Sequence, residues 1–274
     1  MNYRHAYHAG NHTEVFKHSV LVLLLEHLRK KPAAFTVIDT HAGTGMYDLT
    51  APEPQRTGES AAGIGRVLGA NLSVAKPYLD IVRHMNPDGL RIYPGSPGVV
   101  RAMMREQDHL IACELHDDDA VLLRRNFQGD NRVAVHHRDG YEAIYAFIPP
   151  STRRGLVFID PPYERRDEFE RLGNALNSAI KKWPTGVFAA WYPIKDGWRA
   201  GGLRTVYRET NPKTLCVEFL VGERDGTSLA GSGMVICNPP WQLDLELDAL
   251  CRELGPAFEA LDAHHRIDWW VQPS

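Results

Sequence analysis

Residues 155–163 read Gly155-Leu156-Val157-Phe158-Ile159-Asp160-Pro161-Pro162-Tyr163. A short apolar run entering a double proline describes a buried parallel strand that ends in a rigid loop. The prolines fix φ, and their carbonyls face no competing N–H of their own. The loop sets a carboxylate, backbone carbonyls and an aromatic ring at the carboxyl end of a sheet, where open α/β sheets bind ligands. A flat, amino-bearing base would donate its amino protons to Asp160 and the Pro161 carbonyl while stacking on Tyr163. The pattern points to chemistry on an exocyclic amine.

Outward from this strand, β and α signals alternate. A helix is expected from about Thr13 through Leu28, closed by Arg29-Lys30-Lys31-Pro32. Phe35–Thr40 reads as the first strand, followed by the loop His41-Ala42-Gly43-Thr44-Gly45. Residues 46–95 do not look like a crossover helix; with Pro52, Pro54 and helical patterns at 58–68 and 74–85 they read as a mostly helical insertion. The delayed helix, 98–104, follows Gly95-Ser96-Pro97. Strands at 110–114, 132–136, 155–159 and 187–191 then alternate with helices at 117–127, 141–147 and 169–182. Strands near 215–221 and 233–237 flank a Gly-rich connection at 222–232, a helix runs 243–254, and the tail 264–271 is a possible edge strand. This order predicts a doubly wound α/β protein with a mostly parallel, seven-stranded sheet and one antiparallel strand. The expected organisation is one domain from 1–45 and 96–274, with 46–95 as an insertion subdomain.

Four successive strands finish with an acid at one sheet edge: Asp39, Glu114, Asp139 and Asp160. Gly43 lets the backbone approach a ligand closely. Glu114 suits the two hydroxyls of a ribose, and Asp139 an adenine amino group. No Walker lysine loop is present, so the site suits a nucleoside rather than a triphosphate. Arg165 and Arg166 follow the Asp-Pro-Pro-Tyr loop and are candidates for phosphate contact.

Bulk properties add little. The 274 residues are 43% hydrophobic and 24% charged, with a formal net charge of −3, so overall charge does not advertise a nucleic-acid binder. Cys113, Cys216, Cys237 and Cys251 form no Cys-x-x-Cys pair, which suits reduced thiols in a cytoplasmic protein. The amino terminus has no signal-peptide pattern, and Val20–Leu25 is too short to span a membrane. His5, His8, His12 and His18 lack the spacing of a metal site, so no metal is expected. Nothing demands an oligomer, so a monomer is expected.

Asp-Pro-Pro-Tyr with a Gly-x-Gly loop after the first strand resembles the signature of S-adenosylmethionine-dependent adenine amino methyltransferases. The segments Tyr3-Arg4-His5, His8-Ala9-Gly10-Asn11-His12, Lys17-His18, Asp39-Thr40-His41-Ala42-Gly43, Tyr93-Pro94-Gly95-Ser96-Pro97, Glu114-Leu115-His116, Trp191-Tyr192-Pro193 and Asn238-Pro239-Pro240-Trp241 resemble the RlmJ family more closely. That family methylates an adenine N6 in 23S ribosomal RNA, and the resemblance spans essentially the whole chain. It implies a Rossmann-like class I methyltransferase fold. It further implies that His18, His41, Ser96, Glu114, Asp139 with Gly140, and Asp160 contact S-adenosylmethionine or its edge of the site. Tyr3 would touch the RNA and Lys17 would lie at the active-site mouth. A DNA adenine methyltransferase shares Asp-Pro-Pro-Tyr but usually carries a separate recognition domain. A non-catalytic RNA-binding module is the third alternative, against which the four intact acids stand.

Overall fold

Strand β1 (Thr36–Asp39) lies inside an eight-stranded sheet and is buried at every position. The computed structural model describes residues 5–195, 203–204, 207, 212–222, 229–260 and 262–272. The other strands of this sheet are β4 (His109–Glu114), β5 (Val133–His137), β6 (Gly155–Ile159), β7 (Val187–Ile194), β8 (Thr214–Leu220), β9 (Gly231–Cys237) and β10 (His264–Val271). Their order is β10-β8-β9-β7-β6-β1-β4-β5. The five strands from β7 to β5 pair in parallel. The closing hairpin sets β9 antiparallel to β7 and β8, and the tail adds β10 antiparallel to β8. The seven expected strands are thus joined by the tail as an eighth. The result is a Rossmann-like α/β fold. Chain order departs to opposite sides of β1, toward β4 and toward β6, which creates the topological switch point where such sheets bind ligands.

Helix α1 (His12–Arg29) is capped by Asn11, whose side chain accepts the Glu14 amide at 2.9 Å, so it opens one residue before the Thr13 expected from sequence. It is buried on nearly all sides, because it packs between the sheet and other helices. Glu14, Lys17 and His18 are buried on it as well, so its polar side chains must find partners inside the protein.

Residues 46–95 begin and end in a two-stranded antiparallel ribbon, β2 (Met46–Asp48) with β3 (Ile92–Pro94). Strands of three residues are too short to leave an alternation pattern in the sequence. The helix expected over 58–68 is broken: α2 (Pro52–Thr57), α3 (Glu59–Ala62) and α4 (Ile64–Val67) replace it. Gly58 at φ 64° ends the first, and Gly63 lets the Gly10 carbonyl approach so closely that a Cβ would sit 2.1 Å from it. The Ile64 amide donates to that carbonyl at 2.8 Å. Helix α5 (Lys76–Met85) follows. Ile64, Val67, Tyr78 and Val82 belong to the same apolar cluster as Val15 and Leu21 of α1.

Helices α6 (Ser96–Met103), α7 (Asp117–Asn126), α8 (Gly140–Phe147) and α9 (Glu168–Lys182) stand at the expected places, within two residues, and α10 (Leu243–Ala257) runs three residues past its expected end. All four cysteines are buried and unpaired.

Candidate active site

The four strand-end acids converge at one edge of the sheet. Asp39 is fully buried beneath the site; burial pushes its carboxyl up to about 7, with Ser96 opposing. The His41 amide donates to Asp39 at 3.3 Å, turning the chain sharply after β1. The His41 ring is paired with the Thr40 hydroxyl at 2.7 Å, and burial pushes it down to about 4, so the ring is neutral at pH 7. Glu114 accepts the Gly43 amide at 2.8 Å and the His116 amide at 2.7 Å, one on each oxygen. Gly43 adopts φ 57°, where a side chain would be strained, and a Cβ would sit 2.1 Å from the Tyr47 hydroxyl. Asp139 caps α8 by accepting the Tyr141 and Glu142 amides at 2.9 and 3.1 Å. A Cβ on Gly140 would sit 2.4 Å from the Thr40 carbonyl and 2.6 Å from the His41 ring.

The ends of these strands border a cavity of about 350 Å³. Of the expected cofactor residues, His18, His41, Gly43, Ser96, Glu114, Asp139, Gly140 and Asp160 line it. Asp39 does not; it is hydrogen-bonded to Ser96, which lines the cavity. The glycines at 43 and 140 leave space that a side chain would fill, and paired acceptors sit at Glu114. Both features fit a nucleoside lying against the backbone.

A buried charge cluster closes the cavity. The Lys17 ammonium is hydrogen-bonded to Asp160 and paired with Glu14, and it is 2% exposed. The expectation of a lysine at the mouth is corrected here: two carboxylates draw it inside. Burial opposes its charge, but Asp160 and Glu14 outweigh burial and hold Lys17 above its ordinary value. Glu14 is held well below the ordinary carboxylate value against burial by His5, Lys17 and His18. Asp160 is pushed up, first by burial and then by Glu14, against Lys17. His5 Nε2 lies 2.7 Å from Glu14. His18 pairs with the Tyr93 hydroxyl at 2.9 Å, and Tyr78 donates to that hydroxyl at 3.0 Å. Ligand-capable atoms of His5, Glu14 and Asp160 all lie within 4.8 Å of one another, a grouping the sequence did not suggest. The cation among them is the Lys17 ammonium, which bonds to both carboxylates.

A second cavity of about 560 Å³ lies on the other side of this cluster, lined by Pro161, Tyr163 and Trp191 among others. The two cavities share His5, Lys17, Asp160 and Pro162. Tyr163 sits at φ 52°, its hydroxyl donates to the Trp191 carbonyl at 2.7 Å, and its ring lies 5.0 Å from Phe169. Arg165 lines the first cavity, not the second, and pairs with Asp167 at 2.9 Å. Arg166 is exposed and borders neither. Tyr3 lies outside the described residues.

The sequence does not assign Glu14 and His5 to the site, and it leaves Trp191, at the end of the 187–191 strand, open between pocket lining and packing. The missed signal was Glu14, Lys17 and His18 at i, i+3 and i+4 on an otherwise apolar helix, which places three ionisable groups on one face. Asn238-Pro239-Pro240-Trp241 is remote: Cys237 pairs with Phe188 at the opposite end of β7, and Asn238 bonds the Pro184 and Gly186 carbonyls at 2.8 Å. Trp269 and Trp270 pack against the two apolar clusters.

Comparison with known proteins identifies the family. The chain is 37% identical to "Ribosomal RNA large subunit methyltransferase J" of Escherichia coli (strain K12), covering 100% of this chain and 99% of that protein. The protein of the same name from Haemophilus influenzae is 38% identical over 90% of each. A crystal structure from Legionella pneumophila str. Philadelphia 1 superposes with a TM-score of 0.89 at 31% identity, covering 96% of this chain and 98% of that one. The family described as "Ribosomal RNA large subunit methyltransferase D, RlmJ" matches residues 32–271, and the chain belongs to that family.

Proposed function

We propose that this chain methylates the N6 amino group of a specific adenine in 23S ribosomal RNA, with S-adenosylmethionine as methyl donor. As a member of its family it is an RNA methyltransferase. The observation that carries the finer reading is the meeting of two cavities at Asp160, Pro162 and Lys17. One has the acceptors and open backbone that suit a nucleoside cofactor; the other is walled by Pro161, Tyr163 and Trp191 and suits a base. We read residues 1–45 and 96–274 as one Rossmann-like domain, and 46–95 as an insertion sharing its core.

In this reading Glu114 holds the ribose hydroxyls, Asp139 and Gly140 border the adenine, and His18, Ser96 and Asp39 serve the amino-acid end. The bound cofactor supplies an electrophilic methyl group on a cationic sulfur. The amino group of adenine is a poor nucleophile, because its lone pair is delocalised into the ring. Asp160 and the Pro161 carbonyl accept its two N–H bonds and favour a pyramidal nitrogen whose lone pair faces the first cavity. Orientation of this kind contributes on the order of 7 kcal/mol or more in favourable systems. Burial gives Asp160 a basicity that an exposed aspartate lacks, so it accepts the amino proton as positive charge develops. Lys17 fixes the carboxylate and balances the second buried acid, Glu14. The base must leave its stack to enter, and Tyr163 stacks on it. Arg165 and Arg166, outside the base cavity, are assigned to the RNA backbone near the entrance, and Tyr3 to the RNA. An extruded, accessible base favours protein-free or early-assembly RNA. We further assign a monomer in the cytoplasm.

The test is methyl transfer from labelled S-adenosylmethionine to protein-free 23S ribosomal RNA, with duplex DNA and assembled large subunits alongside. N6-methyladenosine from the free RNA alone is the expected product. Label in DNA, or none in any RNA while the cofactor still binds, would overturn the substrate assignment.

A further inference from the structure

The helical insertion reaches the cofactor cavity through a chain of hydrogen bonds to which the mechanism above gives no task. Tyr78 stands on α5 and Tyr93 on β3, and both are fully buried. The Tyr78 hydroxyl donates to the Tyr93 hydroxyl at 3.0 Å, and the Tyr93 hydroxyl meets His18 Nδ1 at 2.9 Å. His18 in turn lines the cavity. The available hydrogens set the direction of these bonds. A tyrosine hydroxyl has one hydrogen. Tyr78 gives its own to the Tyr93 oxygen, so the Tyr93 hydrogen is left for His18. Buried hydroxyls seldom go unbonded, and Nδ1 therefore accepts. Burial pushes His18 down to about 3, so at pH 7 the ring is neutral and carries a single N–H. With Nδ1 accepting, that hydrogen sits on Nε2.

Glu14 favours the same tautomer from the other side. Its Oε2 stands 3.9 Å from Nε2, beyond hydrogen-bond reach, yet a carboxylate so close attracts an N–H and repels a lone pair. Nε2 has no hydrogen-bond partner among the described residues, which leaves its N–H for a ligand. The cations that line the cavity are engaged elsewhere. Lys17 is held by Glu14 and Asp160, Arg165 by Asp167 and Arg171 by Glu168. A carboxylate that enters among these paired charges is met by a neutral donor instead, and His18 Nε2–H is one.

We propose that Tyr93, itself oriented by Tyr78, is a positioning residue that fixes His18 as an Nε2–H donor to the carboxylate at the amino-acid end of S-adenosylmethionine. This role rests on the functional reading above and deepens it. It gives the insertion a part in cofactor binding: Tyr93 and Tyr78 never touch the ligand, but they decide what His18 offers to it. Had Nδ1 kept the hydrogen, Nε2 would present a lone pair to the carboxylate and repel it.

The test joins spectroscopy to calorimetry on the full chain. Proton–nitrogen correlation spectra of protein with isotope-labelled histidine, with His18 assigned by its loss in His18→Gln, should show the His18 proton on Nε2 alone. This measurement needs no variant of the tyrosines, so it stands even if those variants fail to fold. Tyr93→Phe removes the hydroxyl and keeps the ring. It should raise Kd for S-adenosylmethionine roughly 3- to 10-fold, the scale of one weakened hydrogen bond to a charged group. Kd for methylthioadenosine, which lacks the amino-acid end, should stay within about twofold. Tyr78→Phe should act in the same direction but less. In a His18→Gln background Tyr93→Phe should cost no further affinity, because it acts through that ring. A proton on Nδ1 in the wild type would overturn the proposal. So would unchanged S-adenosylmethionine affinity in Tyr93→Phe, an equal loss for both ligands, or a larger loss in Tyr78→Phe. Wild-type binding separates the two readings: if neither ligand binds, the cofactor assignment falls, whereas selective binding that survives Tyr93→Phe removes only the role of the tyrosines.

Discussion

The Lys17 ammonium is hydrogen-bonded to Asp160 although 143 residues separate them in the chain, and the pair forms the partition between the two cavities. Lys17 also holds Glu14 on its own helix, so removing either end of the Asp160 pair has unequal consequences.

Asp160→Ala should lower kcat by at least about 10²- to 10⁴-fold, the usual scale for loss of a positioned proton acceptor. It should remain folded, because Lys17 keeps its pairing with Glu14. Lys17→Met leaves two acids buried without that ammonium, and breaking such an arrangement costs about 3–5 kcal/mol. Thermal unfolding should therefore rank wild type above Asp160→Ala, and Asp160→Ala above Lys17→Met. The reverse order would mean that the cluster is not what holds α1 to the Asp-Pro-Pro-Tyr loop.

Gly140→Ala should weaken S-adenosylmethionine binding by about 10-fold or more, since crowding of a packed site costs roughly 1–3 kcal/mol. The new Cβ would press on the Thr40 carbonyl and the His41 ring, and backbone cannot yield as a flexible side chain does. Gly69→Ala is the control, because a Cβ there meets none of the described residues within 4 Å. Calorimetric titration of both variants checks the contrast; equal affinities would place the cofactor elsewhere.

Acid should destabilise the protein through His18. Burial, with Lys17 and His5 adding to it and Glu14 opposing, pushes His18 down to about 3 from an ordinary 6.5. Below pH 6.5 the unfolded chain binds a proton that the folded chain refuses, so this contribution is complete above pH 6.5 and is lost as pH falls toward 3. The slope is about 1.4 kcal/mol per pH unit. Relative to His18→Gln, which cannot titrate, wild-type Tm should fall as pH is lowered from about 7 to about 5. Parallel Tm curves would show that His18 accepts its proton in the fold.

Chelation should leave turnover unchanged. His5, Glu14 and Asp160 have the spacing for a cation, but the Lys17 ammonium is bonded to both carboxylates. Turnover on protein-free RNA with and without EDTA, at constant ionic strength and with the RNA refolded in monovalent salt, checks this. Loss of activity restored by one divalent ion at stoichiometric levels would mean that Lys17 gives way to a metal.

The parts of the site that were legible in the sequence were local. Ile159-Asp160-Pro161-Pro162 announces a strand end because apolar runs and proline geometry act over a few residues. The strand-end acids Asp39, Glu114 and Asp160 followed from the same reading. The helix expected over 58–68 was not legible, because Gly63 answers to the Gly10 carbonyl, more than fifty residues away. The β2–β3 ribbon escaped for a related reason: its pairing joins Met46 to Pro94, and neither strand is long enough to show a period.

The sequence by itself determined the alternation of elements, the acid at each strand end and the rigid Asp-Pro-Pro-Tyr turn after its strand, since propensity, periodicity and turn geometry are properties of neighbouring residues. Only the tertiary structure decided that Lys17 is buried rather than at the mouth, that Glu14 and His5 complete its cluster, and that Trp191 stands level with Asp160. Those facts depend on strand register and on how α1 crosses the sheet, which are settled when distant segments bury their apolar faces together and force each buried charge to find its partner.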